Sequence, residues 1–179
     1  MNIIKNDSVK DCVTIEIVRH VDERGFLEEL YSPSRYEFSK FKQLNCCLSE
    51  KHVIRGIHRT PYSKTVTCIK GKIFDIAVDL REDSPTYLNW HGEWLTEENK
   101  KQLFVPEGCG HAFYAAGDEN LVVYWQGGVF DSKVDKSFNW KDPSIKIQWP
   151  ESDTYILSCL LYTSPSPRDR TRSRMPSSA

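Results

Sequence analysis

Thr65-Val-Thr-Cys-Ile-Lys-Gly71-Lys-Ile-Phe-Asp-Ile-Ala-Val-Asp-Leu80 sets the fold class. β-Branched and aromatic residues fill its two halves, Thr65–Ile69 and Ile73–Leu80, and Lys70-Gly71-Lys72 between them is a turn signal. The same grammar extends outward. Val13-Thr-Ile-Glu-Ile-Val18 alternates with period two, as a half-buried strand does, and Leu121-Val-Val-Tyr-Trp125 is a further strand run. Asp83-Ser84-Pro85, Pro106-Glu107-Gly108 and Gly127-Gly128 punctuate the intervals. One helix is expected at Arg35–Phe41, and a short turn at Thr96–Lys100 with Thr96 as its cap. Short strands with few helices and no internal linker or repeat predict one all-β domain, a sandwich or a barrel.

The totals narrow the function classes. At 179 residues, 39% hydrophobic and 27% charged, the chain suits one globular domain with a substantial core. A formal net charge of −1 points to neither nucleic acid nor a membrane surface as partner. No apolar run approaches the roughly 18 residues of a membrane span, and Met1–Asp7 lacks the apolar stretch of a signal peptide, so a cytoplasmic location is expected. Cys12, Cys46, Cys47, Cys68, Cys109 and Cys159 show no Cys-x-x-Cys spacing; they read as small buried hydrophobes in a reducing compartment.

From Cys159 to Ala179 the composition turns to Ser, Pro and Arg with no periodicity, the signature of a disordered basic tail. Cys159–Asp169 and Ser173–Ala179 also back-translate into a transposase-library sequencing adapter. Residues 159–179 are therefore expected to be non-native, and residues 1–158 to be the domain, truncated at its C-terminal end. The tail carries four arginines against one aspartate, which leaves the body mildly acidic.

Histidines focus the search for chemistry. His58 sits in Val53-Ile-Arg55-Gly-Ile-His58-Arg-Thr-Pro61, where Arg55 and the His58 region suit the wall of a cavity. His111 sits in Val105-Pro106-Glu-Gly108-Cys-Gly110-His111-Ala-Phe113, a Pro-x-Gly-x-x-His arrangement like the second cupin motif. The place where a metal-binding cupin carries His-x-His reads His58-Arg59-Thr60, one histidine short, and two histidines fall below the three or four ligands of a stable site. No metal is expected.

Taken together, these blocks resemble the dTDP-4-dehydrorhamnose 3,5-epimerase family over roughly residues 15–158. Asp22-Glu-Arg24-Gly-Phe26-Leu-Glu-Glu29, Gln43-Leu-Asn45, Arg55-Gly-Ile-His58, Gly71–Arg81 with Ser84-Pro85-Thr86, Gln102-Leu-Phe-Val-Pro106, His111-Ala-Phe113, Trp140-Lys-Asp142-Pro143 and Trp149-Pro150 follow in the family's order. The resemblance implies a cupin-type jelly roll with a few short helices, a homodimer, and chemistry without a cofactor. It implies a dTDP-linked 4-keto-6-deoxy sugar as substrate, epimerised at C3 and C5. On this reading His58 is the base and Tyr124 the acid on the opposite face. Lys64 stands near the developing oxyanion, Arg24, Arg55 and His111 touch substrate, Glu29, Gln43 and Asn45 touch nucleotide or sugar, and Phe130 stacks on the base ring.

Three departures bear on this. The loop Arg59-Thr60-Pro61-Tyr62-Ser63 is short, and Phe130 replaces a tyrosine frequent there. The family's orienting aspartate, in a Ser-x-Lys-Asp block, is expected at position 161, where this chain has Leu161. The base is therefore expected to lack its carboxylate, and the chain to turn over poorly. The alternatives are a 3-epimerase or isomerase on another nucleotide-linked ketosugar, a binding cupin without catalysis, and a metal-dependent cupin oxygenase, which the missing histidine argues against.

Overall fold

The structure is a computed structural model and describes residues 1–34, 36 and 40–157. The strands are β1 (Asn2–Lys5), β2 (Val13–Glu16), β3 (Arg19–Asp22), β4 (Gly25–Glu28), β5 (Gln43–Glu50), β6 (Ile54–Arg59), β7 (Lys64–Lys70), β8 (Lys72–Val78), β9 (Trp90–Thr96), β10 (Lys101–Val105), β11 (Gly110–Ala115), β12 (Glu119–Gln126) and β13 (Lys136–Ser137). They form a six-stranded sheet ordered β1-β2-β10-β7-β12-β5 and a five-stranded sheet ordered β13-β6-β11-β8-β9, with β3 and β4 as a separate hairpin. Every pairing within the two sheets is antiparallel. This is the expected all-β jelly roll.

The stretch Thr65–Leu80 is where the chain changes layers. β7 belongs to the first sheet and β8 to the second, and only Gly71 lies between them. Gly71 has φ +83°, and a side chain there would collide with the carbonyl oxygen of Glu119. Glycine meets both demands at once.

Period-two alternation fills the space between the sheets. Val66, Leu103 and Val122 from the first sheet meet Ile73, Ala77, Phe113 and Ala115 from the second in one buried cluster. The outer face of the second sheet carries Ile76, Val78 and Ala112, covered by Phe138 and Ile145, with Trp90 and Trp149 packed beside them. Both faces of this sheet are therefore buried, which fixes the backbone on which the chemistry sits.

Two expectations need correction, the short helices and the burial of every cysteine, whereas the turn at Thr96–Lys100 is present as expected. No helix occurs among the described residues. Thr96–Lys100 is a turn in which Thr96 Oγ1 accepts from the amides of Glu98 and Asn99, while Asn99 Oδ1 accepts from Lys101 N and returns the chain to a strand. Most of the expected helix at Arg35–Phe41 lies outside the described residues, as does the tail from Ser158. Among the cysteines, Cys12, Cys68 and Cys109 are buried but Cys46 is exposed. Adjacent strand residues face opposite ways, so Cys46 and Cys47 cannot both point inward from β5.

Candidate active site

A cavity of about 570 Å³ opens between the two sheets, lined by His58, Arg55, Lys64, His111, Tyr124 and Phe130 among others. Six of the ten residues expected at the site thus share one space. The two sheets contribute to it differently.

Strand β6 holds Arg55 and His58, three residues apart. Strict alternation would turn one of them outward. Their pairing with β11 resolves this: His58 lies opposite His111 and Arg55 opposite Phe113, with a register shift between. One extra residue on β6 is accommodated there, a bulge that brings both side chains to the cavity. Gly56 makes the bulge possible, since its φ is +105° and a Cβ would collide with His111 O and with Ala112. Arg55 is braced by donating from Nε to Ser49 Oγ (2.9 Å) and from Nη2 to Leu48 O (3.1 Å).

Behind the cavity, Asp75 of β8 lies wholly buried and His111 Nε2 stands 2.8 Å from its Oδ1. Burial raises the pKa of Asp75, opposed by His111 and by the charge of Lys64. The pair anchors the imidazole of His111 from the sheet's inner face.

The first sheet supplies Lys64 and Tyr124 from β7 and β12, with Gln126 beyond them. Lys64 is 8% exposed, and burial lowers its pKa, with Asp135 and Asp75 pulling the other way. Burial likewise raises the pKa of half-buried Tyr124, so its phenol holds its proton at neutral pH. An imidazole on one sheet and a protonated phenol on the other face each other across a single space.

His58, the expected base, does not lack a carboxylate. Asp135 Oδ2 lies 3.1 Å from His58 Nδ1, and Ser137 Oγ lies 3.3 Å from the same nitrogen. The expectation built on Leu161 missed this residue because Asp135 follows no motif. Tyr62 and Gln126 were missed for the same reason; both line the cavity.

Four expected contacts fall outside the lining. Gln43 and Asn45 sit on β5, where Gln43 Nε2 donates to Asn45 Oδ1 (2.7 Å) and Phe130 N donates to Gln43 Oε1 (2.8 Å). They are one residue removed from the cavity, behind Phe130. Arg24 lies in the β3–β4 turn, exposed and ion-paired with Asp22, and exposed Glu29 follows β4. The hairpin pairs with neither main sheet, and neither residue lines the chain's own cavity.

Comparison with known proteins agrees with this architecture. The family model described as dTDP-4-dehydrorhamnose 3,5-epimerase matches residues 6–175. An enzyme of that name from Shigella flexneri is 38% identical over 159 residues, covering 84% of this chain and 87% of its own. One from Methanothermobacter thermautotrophicus is 37% identical, covering 80% and 81%. The crystal structure of dTDP-6-deoxy-D-glucose-3,5-epimerase from Legionella pneumophila, in complex with dTDP-4-keto-L-rhamnose, superposes with a TM-score of 0.90 at 32% identity, covering 93% of each chain. The chain belongs to the dTDP-4-dehydrorhamnose 3,5-epimerase family.

Proposed function

We propose that this chain epimerises dTDP-4-dehydro-6-deoxy-D-glucose at C3 and C5, giving dTDP-4-dehydro-L-rhamnose. The observation that carries the reading is the placement of His58 and Tyr124 on opposite sheets around one cavity. Inverting a carbon α to a ketone needs a base on one face and an acid on the other. The C4 ketone acidifies the C3 hydrogen. His58 Nε2 takes that proton, the C–H electrons move into an enolate, and the negative charge collects on the C4 oxygen. Lys64, a cation in a water-poor wall, stabilises that charge. Tyr124 donates its proton to the opposite face of C3. The phenolate regains a proton, the imidazolium loses one, and the cycle repeats at C5. Arg55 supplies a guanidinium for the diphosphate, and Phe130 an aromatic face for the base ring.

The acid–base reading is tested by incubating the substrate with enzyme in heavy water and reading deuterium at C3 and C5 by NMR. Wild type incorporates at both carbons. His58→Asn abolishes exchange, and Tyr124→Phe slows product formation by about 10²–10⁴-fold. Binding without exchange in the wild type would overturn the catalytic assignment, and exchange at C3 alone would restrict it to one carbon.

We further infer a cytoplasmic homodimer. Val21, Phe26 and Leu27 on the β3–β4 hairpin are 73%, 62% and 72% exposed, and Leu44 and Leu48 are exposed on β5, the edge strand of the first sheet. An apolar hairpin that also carries Arg24 and Glu29 away from their own cavity suits a second copy of the chain.

A further inference from the structure

The histidine assigned as base is useful only in one tautomer. Its Nε2 must carry a lone pair toward the sugar, so Nδ1 must carry the hydrogen and have an acceptor. Position 161 is a leucine and offers none. The acceptor on the described chain is Asp135.

Three features separate this pair from an ordinary surface contact. First, the carboxylate is sheltered: the Asp135 side chain is 17% exposed, against 38% for His58. Second, the backbone holds it. The amides of Val134 and Asp135 both donate to Asp131 O (3.1 Å), closing a turn that delivers the chain into β13. There Lys136 pairs with Arg59 and Ser137 with His58, and Phe138 N donates to Ile57 O (3.0 Å). The carboxylate is thus registered beside the imidazole by strand pairing rather than by a flexible side chain. Third, Asp135 Oδ1 is buried with no hydrogen-bond partner among the described residues, and Asp135 lines the cavity. Burial works against its charge, but the hydrogen bond to His58 and the charges of His58 and Lys64 prevail and hold it below the usual carboxylate range.

We propose that Asp135 is the positioning residue for His58: it accepts the Nδ1 hydrogen, fixes the tautomer that leaves Nε2 basic, and stabilises the imidazolium formed when the sugar proton is taken. This deepens the epimerase reading and rests on it. Asp135 itself transfers no proton; the proton goes from sugar carbon to Nε2 and then to solvent. Ser137 Oγ is the secondary contact on the same nitrogen.

The test compares Asp135→Asn and Asp135→Glu with wild type. An asparagine keeps the size but can present its NH2 to Nδ1, and an aspartate-to-asparagine change in the analogous role of a serine protease costs about 10⁴ in rate. The expected result is a fall in kcat of about 10²–10⁴-fold for Asp135→Asn with KM changed less than about threefold. Asp135→Glu, which keeps the charge, recovers part of the loss. Imidazole 15N NMR of His58 gives a readout independent of turnover: an Nδ1–H tautomer in wild type, and loss of that preference in Asp135→Asn.

Unchanged kcat and an unchanged tautomer in Asp135→Asn would overturn the proposal. His58→Asn separates this from failure of the wider reading. If His58→Asn abolishes exchange while Asp135→Asn does not, only the positioning role falls. If His58→Asn still exchanges, the assignment of the base falls with it.

Discussion

Lys64 is a cation with little water around it and, among the described residues, no carboxylate within ion-pair distance of its Nζ. Burial disfavours its charge, while Asp135 and Asp75 retain part of it. Such a group is poised for a ligand that brings negative charge late, when the ketone oxygen becomes an enolate. Lys64→Met is therefore expected to lower kcat by about 10²-fold or more. Its melting temperature should stay near that of wild type, since no ion pair is broken. The wild-type kcat/KM should fall on the alkaline side at a pH below the ordinary lysine value of about 10.4, because the folded-state pKa is lowered. Steady-state kinetics across pH with a thermal melt of each protein decide the matter; a Lys64→Met enzyme with unchanged kcat removes the lysine from the oxyanion role. The sequence already pointed to Lys64, His58 and Tyr124, because each occupies a position to which the family resemblance assigns a role. Asp135 was not legible. Its function comes from pairing between β13 and β6, strands far apart in the chain, and nothing local to Asp131–Ser137 announces that pairing.

At the scale of single elements, β6 carries the most demand per residue. Its bulge turns Arg55 and His58 to the same side, and the bulge depends on a glycine with positive φ and no room for a side chain. Gly56→Ala must either distort the backbone at φ +105° or push against His111 O and Ala112. The expected cost is about 3 kcal/mol or more, measurable by denaturant titration. Protein that still folds should lose activity more severely than stability, because relief of the clash shifts His58 relative to the sugar. Full activity with native stability would show that the bulge is dispensable for placing the two residues. Here the sequence was half informative. The pattern of residue types identified the strands, by alternation at Val13 and by β-branched or aromatic runs at Thr65, Ile73 and Leu121. It could not show that the chain changes sheets at Gly71 or slips register at Gly56, because both are properties of partners rather than of the segment itself.

For the whole molecule, the unsolved question is why two expected substrate contacts stand away from the cavity that needs them. Arg24 and Glu29 ride on a hairpin with three strongly exposed apolar residues and no pairing to either sheet. A lone chain gains little by presenting Val21, Phe26 and Leu27 to water. In a two-fold dimer the same patch is covered twice, and each hairpin can offer its arginine to the partner's site. Light scattering is then expected to give twice the 20.8 kDa chain mass. The double substitution Phe26→Glu with Leu27→Glu should shift it to the monomer and reduce kcat/KM, while Arg24→Ala should reduce kcat/KM in an intact dimer. Mixing supplies the sharper result. Arg24→Ala chains and His58→Asn chains are each impaired alone. If arginines act across the interface, hybrids hold one complete site, with His58 from the first chain and Arg24 from the second. Activity regained on mixing, up to about a quarter of the wild-type value for random pairing of equal amounts, supports contribution in trans. No recovery from chains shown to exchange would place Arg24 with its own chain's cavity, or with no cavity at all.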